Sequence, residues 1–252
     1  MDGVIPWLAG TLIQWAASTA VGLPFVVVAV RSARQRGRDV SLCSLVRLAV
    51  FFFVSLALTR LGPFWTFIRS PWQAMVLEAA WALASIFATR SVARAGLTSH
   101  ISPQAWRSSL VVTGAMLLFV VARSQLIRRL GVGAVAPSPI VLEYVIYQLT
   151  MPGIAEELSY RGVIQPGLNA SLGRPWDILG ARVGWGWVIT SLVFWGTHAF
   201  RVDPTMHLSF YWPTLTMQLI AGFVFGWIRE RSGSVSPPMI AHNLVNVCWT
   251  LV

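Results

Sequence analysis

Apolar residues gather in long stretches along this chain, at approximately 5–30, 41–59, 74–89, 109–122, 140–155, 183–200, 211–228 and 236–252. A stretch of about 18 or more apolar residues is long enough to cross a bilayer as a helix. In lipid, only helices and closed barrels satisfy every backbone polar group. The pattern therefore predicts an all-α, polytopic transmembrane helical bundle of about eight helices. No internal repeat and no low-complexity linker divides the chain, so one membrane domain is the economical reading, with residues 1–139 as N-terminal transmembrane helices and 140–252 as the region where the chemistry-bearing side chains concentrate.

The first stretch reads as a membrane helix. Its leader, Met1-Asp2-Gly3-Val4, carries no positive charge, and the stretch is too long for the apolar core of a cleaved signal peptide. Arg31, Arg34, Arg36 and Arg38 follow it, which favours an outer N-terminus under the positive-inside rule. Alternating from there places most of the remaining arginines in inner loops, with Arg123, Arg128 and Arg129 against the trend. Pro152-Gly153 interrupts the fifth stretch, and proline removes a helical hydrogen bond, so a kink or break is expected there. On strict alternation Glu156 falls at the inner end of the fifth stretch and His198 near the outer end of the sixth. They meet only if the acidic segment continues as a further embedded helix over about 154–170.

Composition agrees with a membrane chain. Hydrophobic residues make up 56% and charged residues 11%, with a mean hydropathy of +0.65. A soluble fold has too few charges here to cover that apolar surface, and a secreted, disordered or collagen-like chain is excluded. All 19 basic residues are arginine and the net charge is +10, yet no basic stripe interleaves with aromatics, so nucleic acid is not expected as a partner. Membrane lipids are. The 13 tryptophans suit interfacial belts, and Cys43 and Cys248 imply no disulfide framework.

Ionisable groups inside apolar helices are costly and mark functional sites. Three clusters stand out: Glu156-Glu157 with Arg161, His198 after Phe194, and His242 with Asn246. Glu157 and Arg161 are one helical turn apart and can pair, which leaves Glu156 on another face as a candidate general base. An interfacial turn with one salt bridge and one solvated acid also fits that pair. A lone histidine in a membrane helix is as readily a helix-to-helix hydrogen bond as a catalyst. Asn246 shares a face with His242 and offers an amide donor, whereas Asn243 points elsewhere as a packing or capping group. Glu78 is a candidate partner of Arg47 or a lining residue of a substrate path.

The ordered set Glu156-Glu157-x3-Arg161, Phe194-x3-His198 and His242-x3-Asn246 resembles the three motifs of the CPBP family, the CAAX protease and bacteriocin-processing group also called Abi, which includes the type II CAAX prenyl endopeptidases. The resemblance covers roughly residues 140–252. It implies an intramembrane endopeptidase in which Glu156 activates water, His198 positions it, His242 and Asn246 stabilise the oxyanion, and Glu157–Arg161 is a structural ion pair.

Two histidines and a carboxylate also make a zinc ligand set, so His198 and His242 stand as candidate ligands of zinc or another divalent metal. A metal-free route is preferred, and no cofactor is certain. The resemblance further implies a protein or peptide substrate, prenylated or not, and a multi-pass protein of the bacterial plasma membrane. The competing reading is a non-proteolytic scaffold, immunity protein or transporter that uses the same polar residues. Transport would predict repeats between the chain halves, and none is seen.

Overall fold

A computed structural model of the chain describes residues 4–61, 72–98, 100–131, 141–203, 205–212 and 214–252. The helices are α1 (Val4–Gln35), α2 (Leu42–Leu61), α3 (Trp72–Ala88), a single turn α4 (Val92–Ala95), α5 (Pro103–Leu130) and α6 (Leu142–Glu157). A π-helical segment (Leu158–Ile164) leads into α7 (Gln165–Leu172), and α8 (Trp185–Ala199), α9 (Thr214–Ser232) and α10 (Ser236–Leu251) complete the bundle. Two short antiparallel hairpins flank α8: β1 (Trp176–Ile178) with β2 (Ala181–Val183), and β3 (Phe200–Val202) with β4 (Leu208–Phe210). The fold is an all-α, membrane-like bundle. Spans Trp7–Gln35, Leu42–Arg60 and Pro103–Leu130 are long and apolar enough to cross a bilayer, and α3 is a shorter apolar helix. The boundary at 139/140 lies outside the described residues.

Local sequence explains the element ends. Ser102 Oγ caps α5 by accepting from Ala105 N at 3.2 Å, with Pro103 at the first helical position, where its missing N–H costs nothing. Gly131 at φ 62° closes the same helix, a conformation that favours glycine. These caps make α5 longer than the apolar stretch 109–122 that predicts it.

Hydrogen bonds define the two ends of the bundle. At one end Arg229 Nη2 donates to Arg94 O (2.7 Å), Arg231 Nη1 to Gly180 O (2.9 Å) and Arg38 Nη1 to Ala170 O (3.2 Å). This gathers the C-termini of α1, α7 and α9 with α4. At the other end Gln14 Nε2 donates to Thr197 O (3.1 Å) and Arg60 Nη2 to Val202 O (3.1 Å), which joins α1, α2, α8 and β3. Inside, α8 packs between α1 and α9, and α6 between α3 and α10. One hydrophobic cluster, from Ala29 to Val245, runs through α1, α3, α8, α9 and α10.

The expected break at Pro152-Gly153 is corrected by the structure: α6 runs through both residues and continues without a loop to Leu172. The reason lies on α10. Asn243 Oδ1 accepts from Gly153 N (2.7 Å) and Asn243 Nδ2 donates to Thr150 O (3.0 Å), so a side chain serves backbone groups beside the proline. Only glycine allows this approach, because a Cβ at 153 would lie 2.5 Å from Asn243 Oδ1 and 2.5 Å from Met239 O. Glu156 and Arg161 therefore sit midway along one 142–172 helix rather than at the inner end of a shorter one. The tension between Glu156 and His198 disappears with the break.

Candidate active site

Glu156 is the next-to-last residue of α6, and His198 the next-to-last of α8. Both line a cavity of about 190 Å³ near the Arg60 end of the bundle. Glu156 Oε2 lies 3.9 Å from His198 Nε2, with the side chains 14% and 33% exposed. That separation is too long for a hydrogen bond and suits a bridging water. Glu156 Oε2 is buried and has no hydrogen-bond partner among the described residues.

The orientation of His198 is fixed from behind. Its Nδ1 lies 2.9 Å from Phe194 O, and a carbonyl only accepts, so Nδ1 carries the proton. Nε2 then presents a lone pair toward Glu156. The Phe194 ring supports the imidazole at 4.7 Å between centroids. Thr197 Oγ1 donates to Phe194 O at 2.7 Å and lies 3.2 Å from Tyr160 OH, so the wall beside His198 is tied to the π-helical segment.

Glu157 faces the opposite way and is fully buried. Its Oε1 accepts from Arg161 Nη1 (3.1 Å) and lies 2.8 Å from His242 Nδ1 on α10. An ionised carboxylate only accepts, so here too Nδ1 carries the proton. Arg161, with no exposed surface, also donates through Nη2 to Gly222 O at 3.0 Å and sits over the Phe194 ring at 4.5 Å. A guanidinium without water needs this set of partners: carboxylate, carbonyl and aromatic face. The π-helical turn, a form common at functional sites, carries Arg161 between α8 and α9, and Arg229 Nε closes the shell by donating to Arg161 O at 3.1 Å.

The residues singled out by sequence thus fall into two layers. Glu156 and His198 share the cavity, while Glu157, Arg161 and His242 form a buried network behind it. Phe194 separates the layers, touching both imidazoles, His242 at 6.0 Å. His242 stacks on Phe225 at 4.9 Å and 19°. Asn246 is half-buried one turn along α10, with its carbonyl accepting from Thr250 Oγ1. His242 and Asn246 are not among the residues that line this cavity. No three His, Cys, Asp or Glu side chains converge as metal ligands among the described residues. With His242 Nδ1 held by Glu157 and His198 Nδ1 by a carbonyl, each imidazole has only Nε2 left as a ligand atom.

Several lining residues escaped the sequence reading. Gln14, Thr59 and Arg60 come from α1 and α2, and nothing in their spacing ties them to the motifs. Arg60 Nη1 donates to Gln14 Oε1 (2.7 Å) and Gly10 O (3.1 Å), which fastens this wall. Glu78, 4% exposed on α3, lines the same cavity, whereas Arg47 is exposed on α2. An acid in an apolar stretch is the signal that made Glu78 a candidate lining residue in the sequence.

No curated protein and no solved structure matches the chain. A family model does, over the segment that carries all three motifs. The match supports a CAAX-type intramembrane protease at the level of that family, and with the three long apolar helices it suggests an integral membrane protein. The match spans residues 138–248, and the family it identifies is described as Type II CAAX prenyl endopeptidase Rce1-like.

Proposed function

We propose that the chain is a glutamate-dependent intramembrane endopeptidase in which Glu156 is the general base. The observation that carries this reading is the buried, unpartnered Oε2 of Glu156 facing His198 Nε2 across 3.9 Å. A water between two acceptors donates one hydrogen to each and turns its lone pair toward the scissile carbonyl. Glu156 takes the water proton as the C–O bond forms and the carbonyl electrons move to oxygen. Collapse of the tetrahedral intermediate breaks the C–N bond, and the protonated Glu156 returns the proton to the leaving amine.

The resemblance assigns stabilisation of the oxyanion to His242 and Asn246, which lie on the far side of Phe194 from the cavity lining. With Nδ1–H committed to Glu157, His242 donates from Nε2 only as the imidazolium, and Glu157 is placed to stabilise that charge. Glu157 and Arg161 act by holding the network rather than by touching substrate. We place the protein in the bacterial plasma membrane and take a protein or peptide with a scissile bond near the Arg60 end of the bundle as substrate.

Membrane proteomics of cells carrying the wild type or Glu156→Gln tests the reading. The amide cannot accept a proton, so uncleaved precursors accumulate in the variant. Equal processing by both would remove the protease assignment and leave a scaffold or transporter.

A further inference from the structure

At the end of the bundle opposite Glu156 lies a second and larger cavity of about 410 Å³. Arg36 and Arg38 enter it from the end of α1, Arg174 from the turn after α7, and Arg182 from β2, with Asp177 as the only acid in its lining. Trp176 adds an apolar wall, packed edge-on against Trp185 at 4.8 Å. Neither the motifs nor the proposed chemistry uses this cavity. From Gln14 to Arg36 along α1 it is removed from the catalytic cavity by about 33 Å, at 1.5 Å per residue.

The arginines are preorganised. Glu230 on α9 accepts from Gln165 Nε2 (2.7 Å) and Asn169 Nδ2 (2.7 Å) through Oε1, and from Arg174 Nε (2.8 Å) through Oε2. This holds the Arg174 guanidinium by its Nε edge, with the side chain 35% exposed. Arg38 Nη1 is held by Ala170 O at the end of α7. Gly173, at φ 89°, lets the Arg38 side chain pass close, since a Cβ there would lie 3.0 Å from Arg38 Nε. Four guanidinium groups brought together against two carboxylates, Asp177 in the lining and Glu230 behind Arg174, leave an excess of positive charge that an anion neutralises. Planar forks of this kind match phosphate oxygens in pairs.

We propose that this cavity binds a phosphate-bearing anion at the membrane surface. Its position between helix ends on the arginine-rich face matches where basic pockets hold the headgroups of anionic lipids. Free phosphate offers the same oxygens, so the test separates the two sources.

The purified full chain in non-ionic detergent is heated with dihexanoyl phosphatidylglycerol, dihexanoyl phosphatidylcholine or inorganic phosphate. Binding to the folded state raises the unfolding midpoint in a saturable way. The expected result is a saturable rise with phosphatidylglycerol that exceeds the rise with phosphatidylcholine and weakens about tenfold in apparent affinity in Arg182→Gln. Arg182 is exposed on a hairpin, so this variant keeps the wild-type midpoint without ligand. An equal, Arg182-dependent rise with inorganic phosphate also supports the site and names the free anion as its ligand. No saturable rise with either phosphate source, equal rises with the two lipids, or a rise that Arg182→Gln leaves intact would overturn the proposal.

Discussion

Replacing Arg161 with alanine removes more than one interaction. It deletes the pair to Glu157 at 3.1 Å, the bond to Gly222 O at 3.0 Å and the face-on contact with Phe194 at 4.5 Å. It leaves Glu157, with no exposed surface, supported by His242 alone. Breaking one side of a buried pair costs about 3–5 kcal/mol because the surviving charge has no water to turn to. That lowers the folded-to-unfolded ratio by roughly 150- to 5,000-fold, a large share of the 5–15 kcal/mol typical of whole proteins. Scaled at about 2–4 °C per kcal/mol for a chain of this length, the midpoint falls by roughly 6–20 °C. Thermal unfolding in detergent, followed by loss of the monodisperse peak in size exclusion, measures it. The double variant Glu157→Leu/Arg161→Met separates pairing from bulk: removing both charges relieves the unpaired carboxylate, so it is expected to be more stable than Arg161→Met alone. A midpoint for Arg161→Ala within about 2 °C of wild type, less than 1 kcal/mol on the same scaling, would refute the reasoning.

Gly153→Val should separate α6 from α10, because the new Cβ would meet Asn243 Oδ1 and Met239 O at 2.5 Å. Overpacking of this sort costs about 1–3 kcal/mol, read as a lowered unfolding midpoint, and an unchanged midpoint would show that the close approach is not needed. Chelation with EDTA should leave cleavage of a precursor nearly intact, since no three-ligand cluster is built among the described residues; activity lost on chelation and restored by zinc alone would reverse this. The Thr205 hydroxyl first, and the His207 and Thr205 backbone N–H groups, hold the Asp203 carboxyl below its usual range. The bonds favour the ionised form, so they are fully formed above the ordinary aspartate range of ~4 and loosen as pH falls through the depressed value. Faster amide exchange at Thr205 and His207 at low pH checks this, and pH-independent protection would refute it.

The helices were legible because long apolar stretches have few other solutions, and all eight appear as helical elements. The pairing of Glu157 with Arg161 could be read from one-turn spacing alone. The bond from Glu157 to His242 could not, because it joins residues 85 positions apart on two helices. The break expected at Pro152-Gly153 is absent for a similar reason: Asn243, from another helix, braces the backbone on both sides of the proline through Thr150 O and Gly153 N. The π-helical turn has no signature in residues 158–164, and the Glu78 wall of the cavity depends on how α3 packs against α6. The two small hairpins carry too few residues for a strand period to show.

The cavity around Glu156 is built from two unequal sources. Glu156, Tyr160, Thr197 and His198 lie within the segment shared with the family, while Gln14, Phe52, Arg60, Met75 and Glu78 lie before it. In the proposed function, the chemistry and the surface that meets the substrate are thus written in different stretches of chain. A lineage can hold the first constant and vary the second, changing its diet of substrates without touching its catalyst. For the same reason two proteins with all three motifs in common need share no substrate, and a chimera exchanging α1 to α3 between them should carry selectivity with the exchanged helices.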